Sequence, residues 1–160
     1  MKRNKFDNWV DIICLFLLAG ITVYLIVAWN SLPEQIPGHF AADGTVTRYD
    51  GRGALIAPVI ISWVLYGLFV LVERFPQIWN TGVQVTEENK ERVHRAIRNL
   101  ISMIKLVIVA KFTFITIFQS LGTNLPSWFM PASIGGFFGT MVVCIMNLVR
   151  VSKSREGKES

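Results

Sequence analysis

The chain reads as an all-α membrane protein with four transmembrane helices and a structured extracellular loop, within which a short β-hairpin is expected. Three observations predict this class. Residues 12–29, 53–72 and 112–149 carry no charged side chain, and crossing about 30 Å of hydrocarbon takes about 20 mostly apolar residues. The last stretch is long enough for the end of one span, a turn and another span. Residues 100–118 are apolar apart from Lys105 and Lys111, which makes them a further span. Finally, twelve basic residues fall in the N-terminus, the second connection and the tail, against Arg48 and Arg52 alone in the first connection. That asymmetry puts both termini in the cytoplasm and residues 32–44 outside the cell membrane. It also accounts for the net charge of +5, so no nucleic-acid partner is expected.

The first span is expected at residues 10–30, bracketed by Trp9 and Trp29 as interfacial anchors. A removable signal peptide fits poorly, because the apolar run is too long and Trp29 stands where small residues should precede a cut. Next comes the loop. Pro33 and Pro37 forbid a helix there, each lacking an amide donor and restricting the residue before it. Asp43-Gly44 is a strong hairpin signal. Thr45-Val-Thr-Arg-Tyr49 reads as a strand, with residues 39–42 as its partner. Leu32, Ile36 and Phe40 would dip into the interface, and residues 50–53 would turn the chain into the second span.

That span covers residues 55–74 and stops at Pro76, with Trp79 among headgroups. Thr86 reads as the N-cap of a helix that starts near Glu87 and runs to Ser120, carrying the third span at residues 99–120. Glu88 to Arg92 and Glu91 to Arg95 are opposite-charge pairs four apart, each contributing a few tenths of a kcal/mol. This charged stretch reads as a solvated face or a docking surface. Arg92, Arg95 and Arg98 also suit anionic headgroups, and His94 reads as solvated. The fourth span, residues 129–150, carries Gly135, Gly136 and Gly139, a spacing that permits close packing within the molecule or dimerisation. Residues 1–151 thus form one four-helix domain, followed by a disordered cytoplasmic tail at 152–160.

The chemistry is sparse. Cys14 and Cys144 fall inside spans and read as small buried hydrophobes, indicating neither a disulfide nor a metal pair. His39, with Glu34, Asp43 or Asp50 nearby, admits structural hydrogen bonding, ligand or pH sensing, or a metal. No Ser/His/Asp or Cys/His constellation can be assembled, so neither an enzyme nor a cofactor is expected. Lys105 lies one to two turns inside its span, where it can snorkel to the interface or pair with Asp11 and Glu73. Lys111 lies about 20 Å along the helix from Arg98, near the bilayer centre. It faces a polar cavity, a partner or another subunit, or else it is deprotonated or deeply snorkelled.

Leu32-Pro33-x-x-Ile36-Pro37-x-His39-Phe40-x-x-x-Gly44 resembles the signature of the bacterial membrane domain of unknown function 1648. That domain also forms the N-terminal part of the immunity protein against the sporulation-delaying toxin. Arg48-Tyr49, Arg52, Glu73-Arg74-Phe75-Pro76, Asn80, Thr86-Glu87-Glu88-Asn89 and Arg92 continue the resemblance over residues 10–118. Ala41 and Thr47 depart from it, standing where the pattern has Asn and Asp. The resemblance implies peptide-toxin immunity or envelope sensing. In that reading Leu32, Pro33, Ile36, Pro37, His39, Phe40, Gly44 and Lys111 meet a ligand, and Glu73, Arg74, Pro76, Asn89 and Arg92 relay inside. The partners would be the lipid bilayer, a peptide toxin or another membrane protein, with a homo-oligomer as a further expectation. The alternative is a small transporter or a transporter accessory subunit, with Lys111 on the path.

Overall fold

A computed structural model describes residues 4–80 and 82–153. Helix α1 spans Lys5–Ala28, and a hairpin of β1 (Gln35–Phe40) and β2 (Val46–Gly51) follows. Helices α2 (Ile56–Arg74), α3 (Lys90–Ser120) and α4 (Phe129–Lys153) complete the described chain. Among the described residues, four helices are long and apolar enough to cross a membrane. Their outward faces fit that medium: Phe16, Val27 and Met146 are all exposed.

Local chemistry sets the element ends. Asn4 caps α1 reciprocally: its side-chain oxygen accepts from the Asp7 N–H at 2.7 Å, and the Asp7 carboxylate accepts from the Asn4 N–H at 3.1 Å. Helix α2 ends at Arg74, ahead of a 3-10 turn opened by Pro76, as the proline predicts. Helix α3 begins three residues later than expected. Thr86 and Asn89 instead bond to one another across a preceding turn, at 2.8 and 3.3 Å, and Asn89 flanks the helix. Glu91 pairs with Arg95 at 2.9 Å as expected, whereas Lys90 takes Glu87 at 3.3 Å. Helix α4 runs on to Lys153, so the expected tail is helical at residues 152 and 153. The remainder of that tail lies outside the described residues.

Helix α3 organises the bundle: α1, α2 and α4 pack on it, while α1 and α2 touch each other far less. Three apolar clusters hold the packing. Val10, Cys14, Leu18 and Val109 join α1 to α3 at mid-bundle. Leu25, Leu32, Ile36 and Leu55 seal the hairpin end, and Val93, Ala96, Ile97 and Leu148 join α3 to α4 at the opposite, terminal end. At the hairpin end, Phe114 stacks on Phe129 with centroids 4.3 Å apart. Among the described residues, Gly135, Gly136 and Gly139 serve no close approach, because a Cβ on any of them would meet nothing within 4 Å.

The hairpin differs from expectation in register. The partner strand starts at Gln35 and ends at Phe40, and Pro37 faces Tyr49 inside the ladder. Residues 50 and 51 belong to β2 rather than to a turn. The register shifts on both sides of His39, and this bulge lets the strand continue past a proline. Leu32 and Ile36 are buried against α1 and the start of α2 instead of reaching into an interface.

Candidate functional site

The hairpin is fastened to α3 and to the α3–α4 loop. Gln119, in the last turn of α3, donates from Nε2 to the Pro37 carbonyl at 2.9 Å. Asn124 accepts the Val46 N–H at 3.0 Å, and the Leu125 N–H donates to the Gly44 carbonyl at 2.9 Å. Gly44 adopts φ +88°, and a Cβ there would collide with the Leu125 carbonyl oxygen. Only glycine meets both demands at low cost. At Gly38 the place of a Cβ is taken by the Asp50 carboxyl, which pairs with Arg48 at 2.9 Å.

The loop residues singled out in the sequence therefore divide by role. Leu32, Ile36, Pro37 and Gly44 are buried and anchor the hairpin. Pro33 and His39 are exposed, and Phe40 is half-buried. The His39 ring nitrogen Nδ1 lies 2.7 Å from the Thr47 hydroxyl, whose own oxygen lies 3.3 Å from the His39 carbonyl. Tyr49, on the same hairpin, is exposed. Beside the turn, the Asp43 carboxylate accepts the Thr45 N–H at 3.0 Å and the Thr45 hydroxyl at 2.7 Å. These bonds, the backbone one foremost, hold its pKa below the ordinary carboxylate value. Among the described residues, no group of three His, Cys, Asp or Glu side chains is placed to hold a metal ion.

The second constellation lies inside the bundle toward the terminal end. Lys105 is fully buried, and its ammonium donates to Asp11 at 2.6 Å and to Glu73 at 2.7 Å. It does not snorkel outward; it takes the two carboxylates that depth alone made its nearest partners. The Tyr66 ring lies 5.6 Å from the ammonium. Ser102, one turn earlier on α3, donates to Glu73 at 3.0 Å and approaches Asp7 at 3.5 Å. Arg98, one turn before that, donates from Nη2 to the Glu73 carbonyl at 2.9 Å and lies 3.9 Å from Asp7. Arg98 is thus turned inward, not toward headgroups. An unpaired charge at a bilayer centre costs at least about 2.5–3.5 kcal/mol, so such a group persists where partners meet it. The cluster binds α1, α2 and α3 together.

Sequence reasoning found the Lys105 partners but missed Asp7, Ser102 and Arg98. A signal was present: residues 98, 102 and 105 share one face of a helix. The same stripe continues through Val109, Thr113, Thr116 and Gln119, all buried. Lys111 lies about 240° round the helix from Lys105. It is half-buried and makes no hydrogen bond or ion pair among the described residues.

The inner residues also separate. Glu73 belongs to the cluster. Asn89 donates to the Gln84 carbonyl at 3.1 Å and the Ser152 carbonyl at 3.3 Å, tying the start of α3 to the end of α4. Arg74 is exposed, Arg92 half-buried, and Pro76 only opens its turn. His94 is half-buried, with the Trp79 ring edge-on at 5.9 Å, rather than fully solvated. Trp79 itself turns inward and donates to the Val72 carbonyl at 2.8 Å. On the hairpin half, a groove of about 390 Å³ between α1 and α3 is lined by Phe16, Gly20, Tyr24, Thr113 and Ile117, among others. Its lining is almost wholly apolar, which suits lipid chains rather than a polar solute.

Comparison with known proteins adds to the hairpin more than to the cluster. A family model, the domain of unknown function DUF1648, matches residues 15–62, from early α1 through the hairpin into α2. An uncharacterized protein of Archaeoglobus fulgidus is 34% identical over 74 residues. The chain covers 40% of that protein's length, and the matched stretch is 41% of this chain. No solved structure matches.

Proposed function

We propose that this chain is a bacterial integral membrane protein that meets a ligand outside the cell through its hairpin, in envelope sensing or peptide-toxin immunity. The observation that carries this reading is the fastening of the hairpin to α3. Gln119 and the α3–α4 loop hold β1 and β2. The same helix then runs unbroken to the buried ionic cluster and on to Lys90. A ligand that displaces the hairpin therefore pulls on a rigid rod whose far end grips α1 and α2. The crowding of basic residues at the terminal end supports an orientation with the hairpin outside and both termini in the cytoplasm.

The ligand-facing surface in this reading is His39, Thr47 and Tyr49, while the buried loop residues preserve its shape. The test is protection of cells sensitive to the sporulation-delaying toxin by expression of the chain. Survival should rise with the wild type and fall back with His39→Ala/Tyr49→Ala, at unchanged membrane level and thermal stability. Survival that is the same with and without the wild-type chain would remove immunity. Protection that is undiminished in the double variant would remove the hairpin surface.

A further inference from the structure

The interior of the bundle supports a separate inference. Among the described residues, the cluster sets three carboxylates, Asp7 and Asp11 from α1 and Glu73 from α2, against two cations, Arg98 and Lys105 from α3. Tyr66 of α2 and Cys14 of α1 are the other titratable groups near it. Two details point to a ligand. Lys105 and Ser102 both use Oε1 of Glu73, and Oε2 accepts no hydrogen bond among the described residues. Arg98, itself more than nine-tenths buried, has Nη1 without an acceptor while its other nitrogens engage the Glu73 carbonyl and Asp7. A buried donor of this kind calls for an acceptor, and the smallest is water.

We propose that the cluster is a proton-binding site and that Glu73 Oε2 is the atom that takes the proton. The proton arrives from the terminal end on water hydrogen-bonded to Arg98. One O–H bond of the incoming hydronium breaks, leaving neutral water, as one O–H bond forms on Oε2, and no other covalent bond changes. Lys105 keeps its charge and its bond to Asp11. The formal charge of the five side chains passes from −1 to zero, which relieves an excess of buried negative charge. Protonation also weakens the attraction of Glu73 for Lys105, and with it the tie between α2 and α3.

Infrared difference spectra of the full chain in lipid vesicles, recorded as the pH is lowered, test this directly. Protonation of a buried carboxylate adds a high-frequency carboxylic C=O band, distinct from the broad signal of exposed acids. We expect that band in the wild type, its retention in Asp11→Asn and its loss in Glu73→Gln, whose amide oxygen still accepts from Lys105 and Ser102. Should Glu73→Gln not fold, wild-type protein carrying carbon-13 glutamate decides. Glu73 is the one buried glutamate among the described residues, so the band must move to lower frequency. No such band in the wild type, a band that survives in folded Glu73→Gln, or a band unmoved by labelled glutamate overturns the proposal.

Discussion

Replacing Lys105 by Met probes the packing logic of the bundle most sharply. Methionine keeps the length and apolar stem of the side chain and removes only the ammonium. Two charge-assisted hydrogen bonds, at 2.6 and 2.7 Å, are lost together. Asp11 and Glu73, both more than nine-tenths buried, would then face one another with their shared cation gone. Breaking a buried pair by removing one partner costs about 3–5 kcal/mol, because the remaining charge stays uncompensated. We expect Lys105→Met to destabilise by about that amount at neutral pH. Adding Glu73→Gln should restore part of the loss, giving a coupling of about 1–3 kcal/mol, as befits residues in direct contact. Reversible unfolding in mixed micelles, followed by circular dichroism for the wild type, both single variants and the double variant, measures each value. A cost below about 0.5 kcal/mol for Lys105→Met, or single costs that simply add, would refute the reasoning, since such values typify exposed or independent sites.

Two further outcomes follow from the hairpin. Gly44→Ala combines a left-handed φ of +88° with a clash against the Leu125 carbonyl. It should lower stability by at least about 1–2 kcal/mol and speed amide exchange at Leu125, and unchanged exchange there would contradict the docking described. Because the folded pKa of Asp43 is lowered, its contribution is present above the ordinary carboxylate pKa and is lost as pH falls through the lower folded value. The protection of the Thr45 amide, its exchange measured against the intrinsic rate at the same pH, should fall in that acidic window, and Asp43→Ala should lack that protection at every pH.

Much of this architecture was legible before any coordinates. Crossing hydrocarbon demands a local property, a long run of apolar residues, so the positions of the helices able to cross follow from the chain alone. The turn at Asp43-Gly44 and the stop at Pro76 are equally local, set by φ preference and a missing amide donor. The start of α3 was less legible, because Thr86 and Asn89 are both capping residues and only the folded backbone selects between them. The loop motif was visible as a motif, yet its division into anchors and exposed residues was not. Leu32 and Ile36 are apolar whether they meet lipid or Leu25 and Leu55.

The ionic cluster marks the boundary between the two kinds of information. Depth along the helices, which sequence supplies at 1.5 Å per residue, already matched Lys105 to Asp11 and Glu73. Depth says nothing of rotation. Whether Arg98 turns outward to headgroups or inward to Asp7 depends on which face α3 presents to α1 and α2, a matter of side-chain packing among three helices. The strand register likewise goes beyond one segment, since Gln119 of α3 and Leu125 of the loop after it hold the carbonyls of Pro37 and Gly44. The sequence thus determined which segments are long and apolar enough to cross a membrane and where they turn, because those are properties of single segments. The tertiary structure alone decided which buried charges meet, because that depends on how the segments are rotated against one another.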